Sequence, residues 1–166
     1  RKYDAVYIAD TDGEFSLRVP NATVKASIVS GSAGLTPKNW HWSYLRHGAP
    51  QVNGRFERKF SRRMTGRDWS SWAAIRSVAE AIVRKKSSDI NDIISYLRSD
   101  DFTLDGSKGT GLSYRKWNNQ LRQTIFLNSG NWVTAVAPIE GFTNRVNNLD
   151  TLGLGEDNLK CMEKIL

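Results

Sequence analysis

Apolar residues recur along this chain at spacings that predict alternating strands and helices. Tyr3–Ala9 is a short, mostly apolar run typical of a buried strand, and Thr23–Val29 is a second strand candidate. A long helix is predicted over Asp68–Lys86, with an apolar face made by Trp69, Trp72, Ile75, Val78 and Ile82. A second helix is predicted from the helical spacing of Ile90, Ile93, Ile94 and Leu97.

Cap and turn residues predict where the helices begin and end. Thr65 and Asp68 have the spacing of a capping box at the start of the long helix. Ser88 is the predicted cap of the helix that follows. Thr36–Pro37 predicts the start of a further helix, since Pro suits the first helical position, and Gly48–Pro50 is expected to end that element.

The pattern changes in the last third of the chain. Gly111–Tyr114 is a short strand candidate, and the runs Arg122–Leu127 and Trp132–Ala137 predict a hairpin with a connection of about four residues. The segment after Gly141 is polar and is expected to be irregular. Strands that alternate with helices before a final hairpin predict an α/β fold.

Composition limits the class of protein. The 166 residues are 39% hydrophobic, enough for one core, and no apolar run approaches the roughly 20 residues of a membrane helix. The single Cys161 excludes an internal disulfide framework and a zinc site of several cysteines. The sequence enters an apolar strand almost at once, without an initiator Met, so we expect a fragment of a longer protein.

Positive charge is concentrated in the middle of the chain. The net charge is +7, and Lys38 to Lys86 holds twelve basic residues against three acidic ones. Four Trp residues lie within this block, which keeps a nucleic-acid-binding domain as an alternative. We favour a solvated helix face, because the cations around Arg55–Arg63 alternate with Phe56, Phe60 and Met64 at a spacing of four.

Two further patterns bear on chemistry. Asp10 and Asp12 follow the first strand and resemble the aspartate pair of haloacid-dehalogenase-like phosphatases, a second alternative, although Glu14 stands where a Thr is usual there. No acidic pair follows a later strand, and Asp–Gly turns after strands are common. His41 and His47 lack a third ligand at metal spacing. We therefore expect no enzyme, no catalytic residue, no metal site and no cofactor.

The order of elements resembles the second half of type I periplasmic binding proteins, the solute receptors of branched-chain amino acid type ABC importers. The similarity covers roughly residues 3–153. It is carried by Tyr3–Asp10, Ser30–Leu35, Gly48–Phe60, Asp68–Ile82, Phe102–Gly109 and Leu112–Arg115. A subgroup associated with PQQ-dependent alcohol oxidation is indicated by Leu35–Pro37, Trp40–His41, Arg55–Phe56, Asp68–Trp69, Leu104–Gly106, Lys108–Gly109, Gln120–Gln123, Glu140–Phe142 and Leu149–Gly153.

This resemblance implies part of a two-lobed Venus-flytrap fold. Residues 1–66 would supply second-lobe strands, cleft loops and the return segment. Residues 67–115 would supply first-lobe helices and a late strand, and 116–166 a hairpin and C-terminal tail. A full receptor is about twice this length, so the chain is expected to hold half of a binding site.

The resemblance also implies a function. Such receptors bind a small polar solute between their lobes by hinge closure, without catalysis, in the periplasm. Solute contacts are expected after the strands, at Ala9, Asp10, Thr11, Ser30, Gly31 and Ser32, with Trp40 or Trp42 as an apolar wall. The expected partners are the solute, an ABC permease, and either the missing N-terminal half or an exchanged dimer. No nucleic-acid partner is expected.

Overall fold

The computed structural model describes residues 3–11, 15–151 and 155. Its strands are β1 (Ala5–Ile8), β2 (Ile28–Gly31), β3 (Leu35–Lys38), β4 (Leu104–Asp105), β5 (Gly111–Tyr114), β6 (Leu121–Arg122), β7 (Ile125–Ser129) and β8 (Trp132–Ala137). Its helices are α1 (Ala49–Phe60), α2 (Gly66–Lys85) and α3 (Ile90–Leu97), with short 3-10 helices at Ser16–Asn21 and Asn148–Thr151. The predicted α/β class is confirmed.

The larger sheet has five strands in the order β1-β2-β3-β7-β8. The first three strands are parallel, and β7 is antiparallel to both β3 and β8. The predicted hairpin of β7 and β8 is confirmed, but its connection is shorter than expected, because Ser129 pairs directly with Trp132. A smaller antiparallel sheet joins β4, β5 and β6.

The core lies where helix α2 meets both sheets. Trp40, which follows β3, stacks on Trp69 of α2 with ring centroids 5.9 Å apart. Phe126 of β7 packs against Tyr44 at 4.3 Å. The remaining buried members of this cluster are Ala49, Met64, Ala73, Phe102, Leu104 and Leu112. Because one aromatic cluster draws residues from both sheets, the two sheets share a core.

Two turn signals have different roles from those expected. The predicted helix start at Thr36–Pro37 is wrong: these residues belong to β3, where Thr36 pairs with Asn128 and Pro37 with Leu127. Pairing with a strand some ninety positions later overrides the local cap signal. Gly48–Pro50 does not end an element but begins α1, with Gly48 as a left-handed N-cap and proline in the first turn.

The second strand and the cap of α3 also lie elsewhere than expected. The strand predicted over Thr23–Val29 forms at Ile28–Gly31, because it is this stretch that pairs with β1. Asp89, not Ser88, caps α3, and its carboxylate accepts hydrogen bonds from the backbone amides of Asn91 and Asp92.

Helix α2 lies close to its predicted bounds. Apart from Trp69, the residues that it buries are not those predicted. The capping box of Thr65 and Asp68 is present. The residues that face the core are Trp69, Ala73, Ser77 and Ala81, whereas Ile75, Val78 and Ile82 are exposed. Small side chains let the helix approach the small sheet closely, and the Tyr114 hydroxyl lies 3.1 Å from the Ser77 hydroxyl. Within the described residues, no helix has the length and apolarity needed to cross a bilayer.

Gly31, at the end of β2, offers a steric test of the β1–β2 pairing. Its φ is +109°, and a Cβ there would lie 2.1 Å from the Ile8 carbonyl oxygen. Gly130 also has a positive φ, but nothing lies within 4 Å of its Cβ position. We expect Gly130→Ala to cost about 1–2 kcal/mol of unfolding free energy, the cost of a left-handed backbone. Gly31→Ala should cost a further ~1–3 kcal/mol from overpacking, measured by urea denaturation. Equal losses in both variants would contradict this account of the β2 end.

Candidate functional site

A groove opens at the carboxyl ends of β1 and β2. Its volume is about 550 Å³, and it is lined by Tyr7, Ile8, Ala9, Asp10, Thr11, Ser30, Gly31, Ser32 and Pro37. Six of these residues are positions expected from the sequence, although Ser30 and Gly31, expected in a loop, are the last two residues of β2. They meet because β1 and β2 are parallel, so both chains leave the sheet at the same edge.

Asp10 has a structural role within this groove. Its carboxylate accepts hydrogen bonds from the backbone amides of Phe15 and Ser16, at 3.1 and 2.9 Å. Its own backbone amide donates to the Ser32 hydroxyl at 2.9 Å. The side chain therefore caps the 3-10 helix that follows β1. Asp12, the other aspartate of the phosphatase alternative, lies outside the described residues.

The serine and threonine hydroxyls give the groove its hydrogen-bonding capacity. The Ser30 hydroxyl donates to the Leu35 carbonyl oxygen at 3.0 Å, which leaves its oxygen able to accept a further hydrogen bond. The exposed Ser32 hydroxyl accepts from Asp10 and keeps its own O–H as a donor. Thr11 is also exposed, and the ring of Tyr7, 79% exposed, adds an apolar wall. Such a surface suits a small polar molecule with a short apolar part.

The structure places Trp40 and Trp42 outside this groove. Trp40 is buried in the core, and its indole N–H donates to the Asn53 side-chain oxygen at 3.0 Å. Trp42 is half-buried and carries the Arg63 guanidinium 3.5 Å above its ring. Both residues pack protein against protein, and neither forms the apolar wall expected from the sequence.

The two histidines do not form a metal site with other residues in the described part of the chain. His41 is buried, and its Nδ1 lies 2.8 Å from the Ser43 hydroxyl. Burial, followed by the charges of Lys38 and Arg63, lowers the pKa of His41. This histidine is therefore a neutral hydrogen-bonding residue of the core at physiological pH.

Lys108 is a buried ionisable residue that sequence analysis missed. Its side chain is 2% exposed, and its Nζ donates to Gln123 Oε1 at 2.6 Å and to the Thr124 carbonyl oxygen at 3.0 Å. The Nζ also lies 3.9 Å from the ring centroid of Trp69 and 5.1 Å from that of Phe126. A lysine between glycines in a polar turn predicts exposure, so no sequence signal pointed to this environment.

A partly buried ion network fixes the segment around Asp150 to the small sheet. Asp150 accepts from the Nε atoms of Arg115 and Arg122, each at 2.8 Å. The Arg115 guanidinium also donates to the Leu149 carbonyl oxygen at 3.0 Å. Burial opposes ionisation of Asp150, but the hydrogen bonds from the two arginines outweigh it and lower its pKa. The segment predicted to be irregular thus contains a 3-10 helix with a specific anchor.

Comparison of this chain with protein-family models, with curated proteins and with solved structures gives no significant match.

Lys108 predicts a specific pH dependence of stability. Burial lowers the pKa of this lysine to about 7 from its ordinary value of 10.5. Between these values the unfolded chain binds a proton that the folded chain does not, so the unfolding free energy should rise with pH. The slope from this residue is at most about 1.4 kcal/mol per pH unit.

The measurement is urea denaturation from pH 7 to pH 10 of the parent chain, Lys108→Met and Lys116→Met. Lys108→Met should lose this part of the slope, because it has no proton to bind. Lys116, exposed and paired with Asp100 at 2.7 Å, is the control and should retain it. An unchanged slope in Lys108→Met would show that Lys108 does not titrate in this range.

Proposed function

We propose that this chain forms part of a solute-binding receptor for an ABC importer in the periplasm, and that it binds a small polar molecule without catalysis. The observation that supports this most directly is the groove at the ends of β1 and β2. All six loop residues that the resemblance assigns to the solute line it. They come from two segments of the chain with 18 residues of sequence between them.

The path of the chain motivates a two-lobed arrangement. The five-stranded sheet would belong to one lobe, and α2, α3 and the small sheet to the other. The described chain passes from the first group to the second between β3 and α1, and returns between β6 and β7. In the described residues the two groups share one aromatic core, in which Trp40 and Phe126 pack with Trp69. Closure over the groove would therefore need either a rearrangement of this core or a surface from the missing half of the proposed receptor.

The proposed receptor needs a further surface to complete its cleft. β1 lies at the edge of the five-stranded sheet, and among the described residues no strand pairs with its outer edge. Tyr7 is 79% exposed and Ile28 66% exposed on these first two strands. We propose that the first half of the same receptor, or an exchanged dimer, covers this region, and that the lobe surfaces of the assembled receptor contact an ABC permease.

The solute class follows from the groove and from the subgroup resemblance. Hydroxyls and backbone groups dominate the polar lining, and its one charged residue among the described positions is the carboxylate of Asp10, which favours a neutral alcohol over its anionic acid product. A panel of short-chain alcohols and the corresponding carboxylic acids is therefore the probe of choice.

Solute binding is tested by calorimetric titration of the chain with this panel. We expect one of the two classes to bind with a dissociation constant of about 1 mM or tighter. Thr11→Val should weaken that binding about 3- to 10-fold, since it removes one hydroxyl while keeping the shape of the side chain. Thr134→Val, at an exposed position on β8 away from the groove, is the matched control. Failure of the whole panel both on the chain and on its complex with a co-expressed first half, or equal affinities in both variants, would contradict the proposal.

Assembly is tested by light scattering at several protein concentrations. One chain has a mass of 18.7 kDa, so the exchanged dimer predicts twice that value. The alternative assembly predicts a complex with a co-expressed first half. A compact and stable monomer of 18.7 kDa, which also fails to bind the first half, would overturn the proposed assembly.

A further inference from the structure

A second groove runs between α1 and α2, on a different surface from the loops that follow β1 and β2. It consists of two adjoining cavities of about 460 and 590 Å³. Both cavities are lined by Phe56, Phe60, Met64, Trp72 and Arg76. One continuous depression therefore follows the contact between the two helices.

The floor of this groove is apolar and accessible. The rings of Phe56 and Phe60 lie 4.6 Å apart, one turn from each other on α1. Phe60 is 52% exposed, and Ile75 on the facing side of α2 is 75% exposed. An exposed apolar surface of this kind is typical of a site that contacts another molecule.

The rim of the groove is cationic. Arg55, Lys59 and Arg76 line it, and none of them forms an ion pair within the described part of the chain. Two carboxylates also line it, but each already accepts hydrogen bonds. Asp68 is held by Arg62 at 2.7 Å, and Asp105 accepts from the Ser107 amide at 2.8 Å. The groove therefore presents unpaired positive charge around an apolar floor.

A cation of the chain itself lies near each aromatic ring of the groove. Arg62 lies 4.8 Å from the ring centroid of Phe56, and Lys59 lies 5.5 Å from that of Phe60. Arg76 lies 5.4 Å from the ring of Trp72. A stacked base needs a whole free ring face, whereas aliphatic side chains can pack on the parts of Phe60 and Ile75 that stay exposed, so this arrangement favours a protein partner.

We propose that this groove binds an acidic amphipathic helix of a partner protein. The apolar side chains of such a helix would pack on Phe56, Phe60 and Ile75, and its carboxylates would pair with Arg55, Lys59 and Arg76. Docking of a helix in an apolar groove is a common mode of recognition, and the flanking charges set which sequences bind.

The test is selection of helical peptides from a phage-displayed library on the immobilised chain. The selected peptides should be enriched in Asp and Glu beside an apolar stripe. Arg55→Glu combined with Arg76→Glu should weaken their binding roughly tenfold or more, as measured by fluorescence anisotropy. Arg58→Glu lies on α1 but does not line the groove, so it is the matched control and should bind as the parent chain does. Circular dichroism of each variant confirms that it is folded, and Lys59→Glu gives a second, independent variant.

Four results would overturn the proposal. The selected peptides could show no acidic enrichment, or could bind the double variant and the parent chain equally. A short single-stranded DNA could bind the groove in preference to the peptides and lose affinity in the double variant. Light scattering of the double variant could show loss of a self-associated species, which would mean that a second copy covers the groove.

Discussion

The buried amino group of Lys108 contacts residues from both sheets and from α2. It lies in the turn between β4 and β5, and it donates to Gln123 and Thr124 in the connection from β6 to β7. Trp69 of α2 lies 3.9 Å from the same nitrogen. An ammonium group at this depth is costly without acceptors and aromatic faces around it. The positions of these groups are therefore mutually constrained, and with them the placement of α2 against β7.

The two grooves are formed by different elements of the fold. The solute groove depends on β1 and β2, whose parallel pairing brings two polar loops to one edge of the sheet. The groove between α1 and α2 depends on the packing of these two helices. Trp69 anchors α2 in the core. The connection held by Lys108 joins the two sheets beside their shared core. Changes at Lys108 should accordingly affect how the two sheets pack together more than the chemistry of either groove.

Local sequence signals predicted those elements whose determinants are close in sequence. The capping box at Thr65, the strand at Gly111–Tyr114 and the hairpin at the end of the chain were all predicted. Elements that depend on residues distant in sequence were not predicted. Thr36–Pro37 is in a strand because β7 pairs with it. Helix α2 buries Ala73 and Ala81 instead of Ile75 because the small sheet packs closely against it.

The candidate site was likewise predicted only where its determinants are close in sequence. The residues after β1 and at the end of β2 were predictable, since parallel strands end at the same edge of a sheet. The expected burial of the first strand is wrong, because β1 lies at the edge of the sheet and none of its residues is buried. Trp40 and Trp42 were misplaced, because sequence alone does not show whether an aromatic side chain faces a cleft or a core. The burial of Lys108 depends on residues from α2 and β7 and has no local sequence signature.

Solute binding in the groove is tested most sharply by an amide nitrogen–proton correlation spectrum of the chain, recorded while the alcohol and carboxylic acid panel is added. We expect one solute class to shift the amide resonances of Ala9–Thr11 and Ser30–Ser32 in a saturable manner, and to leave those of β8 unchanged. Shifts confined to other parts of the molecule, or none at all across the panel, would contradict the assignment of this groove as a solute site.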